Sequence, residues 1–125
     1  MRGRSNPEAE IQRQIVRALR TVLPAGSIVH HAANEVRGGA EAQRRQAILV
    51  GMGVHPGFAD LLVLSQGRVL FLEVKSPRGR LSDAQARFRD DVRAQGFGWA
   101  LVRSLDDALE ALEAHGVPTR VRARP

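Results

Sequence analysis

Residues 58–75 read FADLLVLSQGRVLFLEVK. Two apolar runs flank the turn residues SQGR, a pattern that folds into a β-hairpin. Strands this apolar are buried strands, and three charged side chains interrupt them: Asp60, Glu73 and Lys75. Arg68 falls in the turn, where a charge stays in water. Any fold for this chain has to bury the hairpin and still find partners for two carboxylates and an ammonium.

The flanking segments supply the cover. NPEAEIQRQIVRALRTVL reads as a helix capped by Asn6 or Ser5, with Pro7 in its first turn. At 100° per residue Ile11, Ile15, Ala18, Leu19 and Val22 form one stripe, while Glu10, Arg13, Arg17 and Arg20 point away. SIVHHA reads as a short strand and AEAQRRQAILVGM as a second helix. After the hairpin, SDAQARFRDDVRAQG forms a helix with a Ser82–Gln85 capping box and a Gly96 stop. FGWALV is a fourth strand and SLDDALEALEAHG a last helix. The order αβαββαβα implies an α/β fold with a mixed sheet flanked by helices: antiparallel across the hairpin, parallel where a helix intervenes. With 125 residues the chain suits one domain spanning 1–125, its core about 7–115 and a basic tail at 117–125.

Charge narrows the partners. Lys and Arg number 19 against 13 Asp and Glu, a net charge of +6. Lysine occurs only at Lys75, so the excess is arginine, whose planar fork matches phosphate. High-GC codon bias or solubility would produce the same excess. Cysteine is absent, which excludes disulfides and zinc–thiolate sites and fits a reducing compartment. No apolar run approaches a membrane span, and MRGRSNPEAE lacks the apolar core of a signal peptide. The expectation is a soluble, cytoplasmic protein without a membrane partner.

Residues two apart in a strand share a face, so Glu73 and Lys75 project together. Asp60 lies on the neighbouring strand near the same sheet end. Two buried carboxylates beside one ammonium are relieved by a divalent cation, and an all-oxygen donor set points to Mg²⁺ or Mn²⁺. Such a cluster suits phosphodiester hydrolysis. Glu8 falls on the apolar stripe of the first helix and so faces the sheet, as a third carboxylate of one site would. A cross-strand salt bridge is the plain alternative for an acid and a lysine on a hairpin.

Asp, a turn, then Glu-x-Lys resembles the PD-(D/E)xK nuclease superfamily, and in particular its VRR-NUC branch, the virus-type replication-repair nucleases. The matching stretches are PEAEIQ at 7–12, AAN ending at Asn34, GFADLLV at 57–63, FLEVKSPRGRLSDAQ at 71–85 and Gly96. The branch has proline before the aspartate where this chain has Ala59. The resemblance implies a restriction-endonuclease-like αβ(α)ββαβ core. It implies metal ligation by Asp60, Glu73 and the Val74 carbonyl, catalysis by Lys75, a helix-1 acid at Glu8 and a helix-opening glutamine at Gln85. It further implies a standalone, structure-specific endonuclease that cuts branched double-stranded DNA in the manner of a Holliday junction resolvase. Two cuts on a four-way junction need two sites, hence an expected homodimer. The competing expectations are a monomeric flap or nicking nuclease and a non-catalytic basic DNA-binding module. The host is a cell, a prophage or a phage.

Around this core, SPRGR leaves the strand beyond Lys75, so Arg78 and Arg80 are candidate phosphate contacts. Asn34 and Arg37 join them as candidate DNA-binding residues. Arg44 and Arg45 suit a DNA face or a solvated helix surface equally. Gln85 either closes its capping box or faces the site, and the two roles are compatible. His30 and His31 point to opposite faces and make no zinc site, but one of them suits the DNA path. His55 reads as a loop residue, His115 as a helix-end residue, and Phe88 and Trp99 as core.

Overall fold

The computed structural model describes residues 6–33 and 39–120. Asn34 and Arg37 lie outside the described residues. Helix α1 spans Pro7–Val22, β1 Ile28–His31, α2 Ala40–Gly51, β2 Leu61–Ser65 and β3 Arg68–Val74. They are followed by α3 at Asp83–Ala94, β4 at Gly98–Val102 and α4 at Leu105–Ala114. The expected order is present element for element.

The four strands form one sheet in the order β1-β2-β3-β4. The β2–β3 hairpin turns on Gln66 and Gly67, both with positive φ, closing the Ser65↔Arg68 pair. This geometry matches the twist of the two strands, and it suits glycine in the second position. β3 and β4 are parallel, joined by α3. β1 and β2 are antiparallel although α2 lies between them. The register explains this: His31, the end of β1, sits opposite Leu61, the start of β2. The chain therefore returns to the sheet at the end where it left. α2 stands beyond that sheet end rather than crossing a face, and Ala42 is its buried residue.

The two faces of the sheet are covered unequally. On one, Leu61, Val63, Leu70, Leu72 and Val74 meet Ile15 and Leu19 of α1 and Ala108 and Leu112 of α4. On the other, Phe88 and Val92 of α3 close over Trp99 and Ala59, with Phe58, Phe71 and Leu101 alongside. Phe71 meets both Phe58 and Phe88 edge to face. This second layer stops at β3. Leu62 and Leu64 are half-buried on the same face, and Ile28 opposite Leu64 is 53 % exposed. Among the described residues no helix is long and apolar enough to cross a membrane.

Candidate active site

The site forms where β2 begins and β3 ends. The β2–β3 ladder reaches Leu61↔Leu72, and one residue further out the Asp60 carboxylate takes over the pairing. Its Oδ2 accepts the Val74 N–H at 2.8 Å. Val74 is the residue between Glu73 and Lys75, so the aspartate is fixed directly against the Glu-x-Lys segment. Its carbonyl oxygen is held as well, by the Ala32 N–H at 3.0 Å. His31 Nδ1 stands 3.0 Å from that carbonyl and 3.0 Å from Gln12 Nε2. One ring nitrogen either donates to the carbonyl or accepts from the amide, so the tautomer selects which contact is made.

Glu73 and Lys75 share the face of the sheet that α3 covers. Glu73 is 2 % exposed and Lys75 9 %. Lys75 Nζ lies 3.7 Å from Glu73 Oε2, an ion pair longer than a hydrogen bond. A carboxylate this deep requires close polar partners. Gln85 supplies one, donating from Nε2 to Glu73 Oε2 at 3.0 Å.

The first turn of α3 places Gln85. Ser82 caps the helix, its hydroxyl accepting the Gln85 N–H at 3.1 Å, while Gln85 Oε1 accepts the Ser82 N–H at 2.9 Å. The capping-box reading and the site-facing reading of Gln85 therefore hold together, one through each end of the amide. Gly57 sets the distance between this turn and β2. Its φ is +77°, and a Cβ there would fall 2.3 Å from the Ala84 carbonyl oxygen and 2.7 Å from the Gln85 nitrogen. Only a residue without a side chain allows the loop before Asp60 to lie this close to α3.

Glu8 is half-buried on α1 and faces the sheet, as its place on the apolar stripe implied. Its Oε2 stands 3.4 Å from the Ser76 nitrogen, which donates to it just beyond Lys75. Among the described residues no three Asp, Glu or His side chains gather into a metal-binding group. The oxygen donors at the strand ends are the Asp60 and Glu73 carboxylates and the backbone of the Val74 segment between them. This hard, all-oxygen set fits a small divalent cation.

A cleft of about 570 Å³ opens over these groups, lined by Asp60, Lys75, Arg80 and Gln85 among others. Arg78 is exposed and does not line it. Arg44 is paired with Glu41 on the outer surface of α2. Among the polar side chains lining the cleft, Gln46 on α2, His55 and Ser82 were not singled out in the sequence as site residues. Gln46 reaches the cleft because α2 stands beyond the sheet end, which helical periodicity does not reveal. His55 packs beside Phe88 with ring centroids 5.6 Å apart. Arg103 is the other omission. It follows β4 and donates to the loop after Lys75.

The sequence model of the VRR-NUC domain matches residues 25–106. The chain belongs to the VRR-NUC family. It is thus a nuclease domain, and DNA is the substrate class this implies. The match includes Asp60, Glu73, Lys75 and Gln85 and leaves α1, with Glu8, outside. One solved structure, a VRR_NUC domain protein, superposes with a TM-score of 0.70 at 18 % identity, over 93 % of this chain and 93 % of that one. A second, a VRR_NUC domain, gives a TM-score of 0.57 at 21 % identity, over 89 % and 98 %. At these identities the likeness concerns the fold, and the mixed sheet flanked by helices is the VRR-NUC architecture. No curated protein matches the chain.

Proposed function

We propose that this VRR-NUC domain is a metal-dependent, structure-specific DNA endonuclease that cuts branched duplex DNA, resolving four-way junctions as a homodimer. The observation that carries the reading is the meeting of Asp60, Lys75 and Gln85 in the wall of one cleft that Arg80 also lines, with the buried Glu73 bonded to Gln85 behind them. Asp60, Glu73 and the Val74 carbonyl would hold Mg²⁺ or Mn²⁺, with Glu8 contributing from α1, and the bound ion would polarise a phosphoryl oxygen and acidify a water. Lys75 would stabilise negative charge developing at phosphorus, in a setting where burial strengthens its field. Gln85 keeps Glu73 oriented. Arg80 meets a phosphate flanking the scissile bond, and Arg78, Asn34 and Arg37 extend the contact along the backbone. Phosphate contacts position DNA without reading its sequence, so recognition is by shape. The work takes place in the cytoplasm, at the nucleoid or on phage DNA in the host.

The test is cleavage of a labelled panel comprising a four-way junction, 5′ and 3′ flaps, plain duplex and single strand. Each is run with EDTA, Mg²⁺ or Mn²⁺, beside Lys75→Ala. Paired symmetric cuts confined to the junction, abolished by EDTA and by Lys75→Ala, are the expected result. Lys75→Ala should still bind the junction nearly as wild type does. Cuts on flaps by a monomer would replace the resolvase reading with a flap nuclease. Binding without any metal-dependent cutting would leave only a DNA-binding module.

A further inference from the structure

The loop that leaves β3 after Lys75 has backbone carbonyls that no strand neighbour takes. Arg103 takes them. Its Nη1 donates to the Ser76 carbonyl at 2.6 Å, to Gly79 at 2.9 Å and to Pro77 at 3.2 Å. A terminal guanidinium nitrogen carries two hydrogens, so three acceptors share them, and the nitrogen sits at the centre of the curled loop. Arg103 is itself fixed. Its N–H donates to Asp107 Oδ2 at 2.9 Å, and the preceding residue, Val102, accepts the Lys75 N–H at 3.0 Å. The N–H of the same loop residue, Ser76, is held from α1, where Glu8 accepts it. The loop has little room to shift. A Cβ on Gly79 would stand 3.2 Å from both Glu8 Oε2 and Lys75 Cδ. The loop then delivers Arg80 to the cleft wall.

We propose that Arg103 is a positioning residue: it holds the loop 76–80 curled so that Arg80 faces the cleft and meets a DNA phosphate there. This rests on the nuclease reading for the phosphate and on the geometry alone for the loop. It also gives Arg103 a role on the backbone of this loop. Its Nη1 is committed to three loop carbonyls, and its effect on DNA runs through Arg80.

Two readouts on Arg103→Gln, Arg80→Gln and the double variant test this. The first needs no DNA. Trypsin should cut folded Arg103→Gln after Arg78 and Arg80 at least about tenfold faster than wild type, because local opening exposes those bonds. General unfolding would open arginyl bonds throughout the chain, and Arg103→Lys, which keeps the charge but not the fork, serves if Arg103→Gln does not fold. Unchanged or unselective proteolysis overturns the proposal whatever DNA does. The second readout is junction binding in EDTA across a salt series. Each single variant should lower the steepness of log K against log salt by about 0.9, the release expected for one phosphate contact. The double variant should fall no further than Arg80→Gln, since residues acting through one contact are not additive. Additive losses, or wild-type binding by Arg103→Gln, overturn the link to Arg80. If the wild-type protein binds no DNA, the nuclease reading fails and the link to a phosphate with it, and the proteolysis decides the hold on the loop.

Discussion

Gln85 ties the folding of a helix to the orientation of a buried acid. Its carbonyl closes the capping box and its amide meets Glu73, so the two functions separate by mutation. Ser82→Ala should cost about 1 kcal/mol of stability, the usual value of an N-cap, and reduce cleavage less than Gln85→Ala does. Gln85→Ala should lose a similar stability and a larger share of cleavage, because Glu73 is then buried without that donor. Urea melts and single-turnover cleavage on the same proteins check both. Equal cleavage in the two variants would mean that the Glu73 contact is idle. At this scale the sequence was informative wherever the relevant geometry is local. The period of two put Glu73 and Lys75 on one face, and the Ser82–Gln85 spacing revealed the cap. Arg103, Gln46 and His55 were not legible. Arg103 meets Ser76 across a parallel strand pair, far away in sequence, and nothing near it distinguishes it from the remaining arginines.

Helices and strands were read from periodicity, and the hairpin from its Gln-Gly turn. What periodicity does not carry is where an element stands. α2 has a weakly sided pattern and a single buried residue, Ala42, and its position beyond the sheet end follows from the antiparallel register of β1 and β2. Glu8 shows the same split. Its facing was legible from the apolar stripe, yet its contact with the Ser76 amide depends on how α1 crosses the end of β3. Between elements, the tightest constraint is Gly57 against α3. Gly57→Ala should cost about 3 kcal/mol or more, since a left-handed backbone and a backbone clash are both penalised. It should also move Gln85 from Glu73 and reduce cleavage together with stability. Denaturant midpoints and activity measured on one preparation test that joint loss. An unaltered midpoint would show that the loop gives way instead.

The whole molecule carries its charge and its uncovered surface differently. A net charge of +6 means that binding to any DNA should weaken steeply with salt, whereas hydrolysis of bound DNA should not. Titrating binding and single-turnover rates separately against NaCl distinguishes these. The second layer of the sheet ends at β3, and Ile28, Phe97, Ile48 and Met52 remain 53 %, 45 %, 61 % and 79 % exposed. Light scattering on the purified chain is expected to give twice the monomer mass, and a monomer at working concentration would count against the two-cut reading. The overall α/β class was legible because helices and strands alternate. The unequal covering of the sheet was not, because a half-exposed leucine and a buried one look the same in a strand. One further consequence concerns the order in which the protein assembles. Asp60, Glu73, Lys75 and Gln85 all lie within residues 60–85, a hairpin and the first turn of the next helix. Contacts so close along the chain form quickly, whereas α1 meets α4 only through long loop closure. The geometry of the candidate site should therefore be drafted by the fast, local part of folding. The slow, distant part, α1 and α4 together with Arg103, seals it afterwards. Substitutions in the α1–α4 core should accordingly speed unfolding while leaving the geometry of the folded site unchanged.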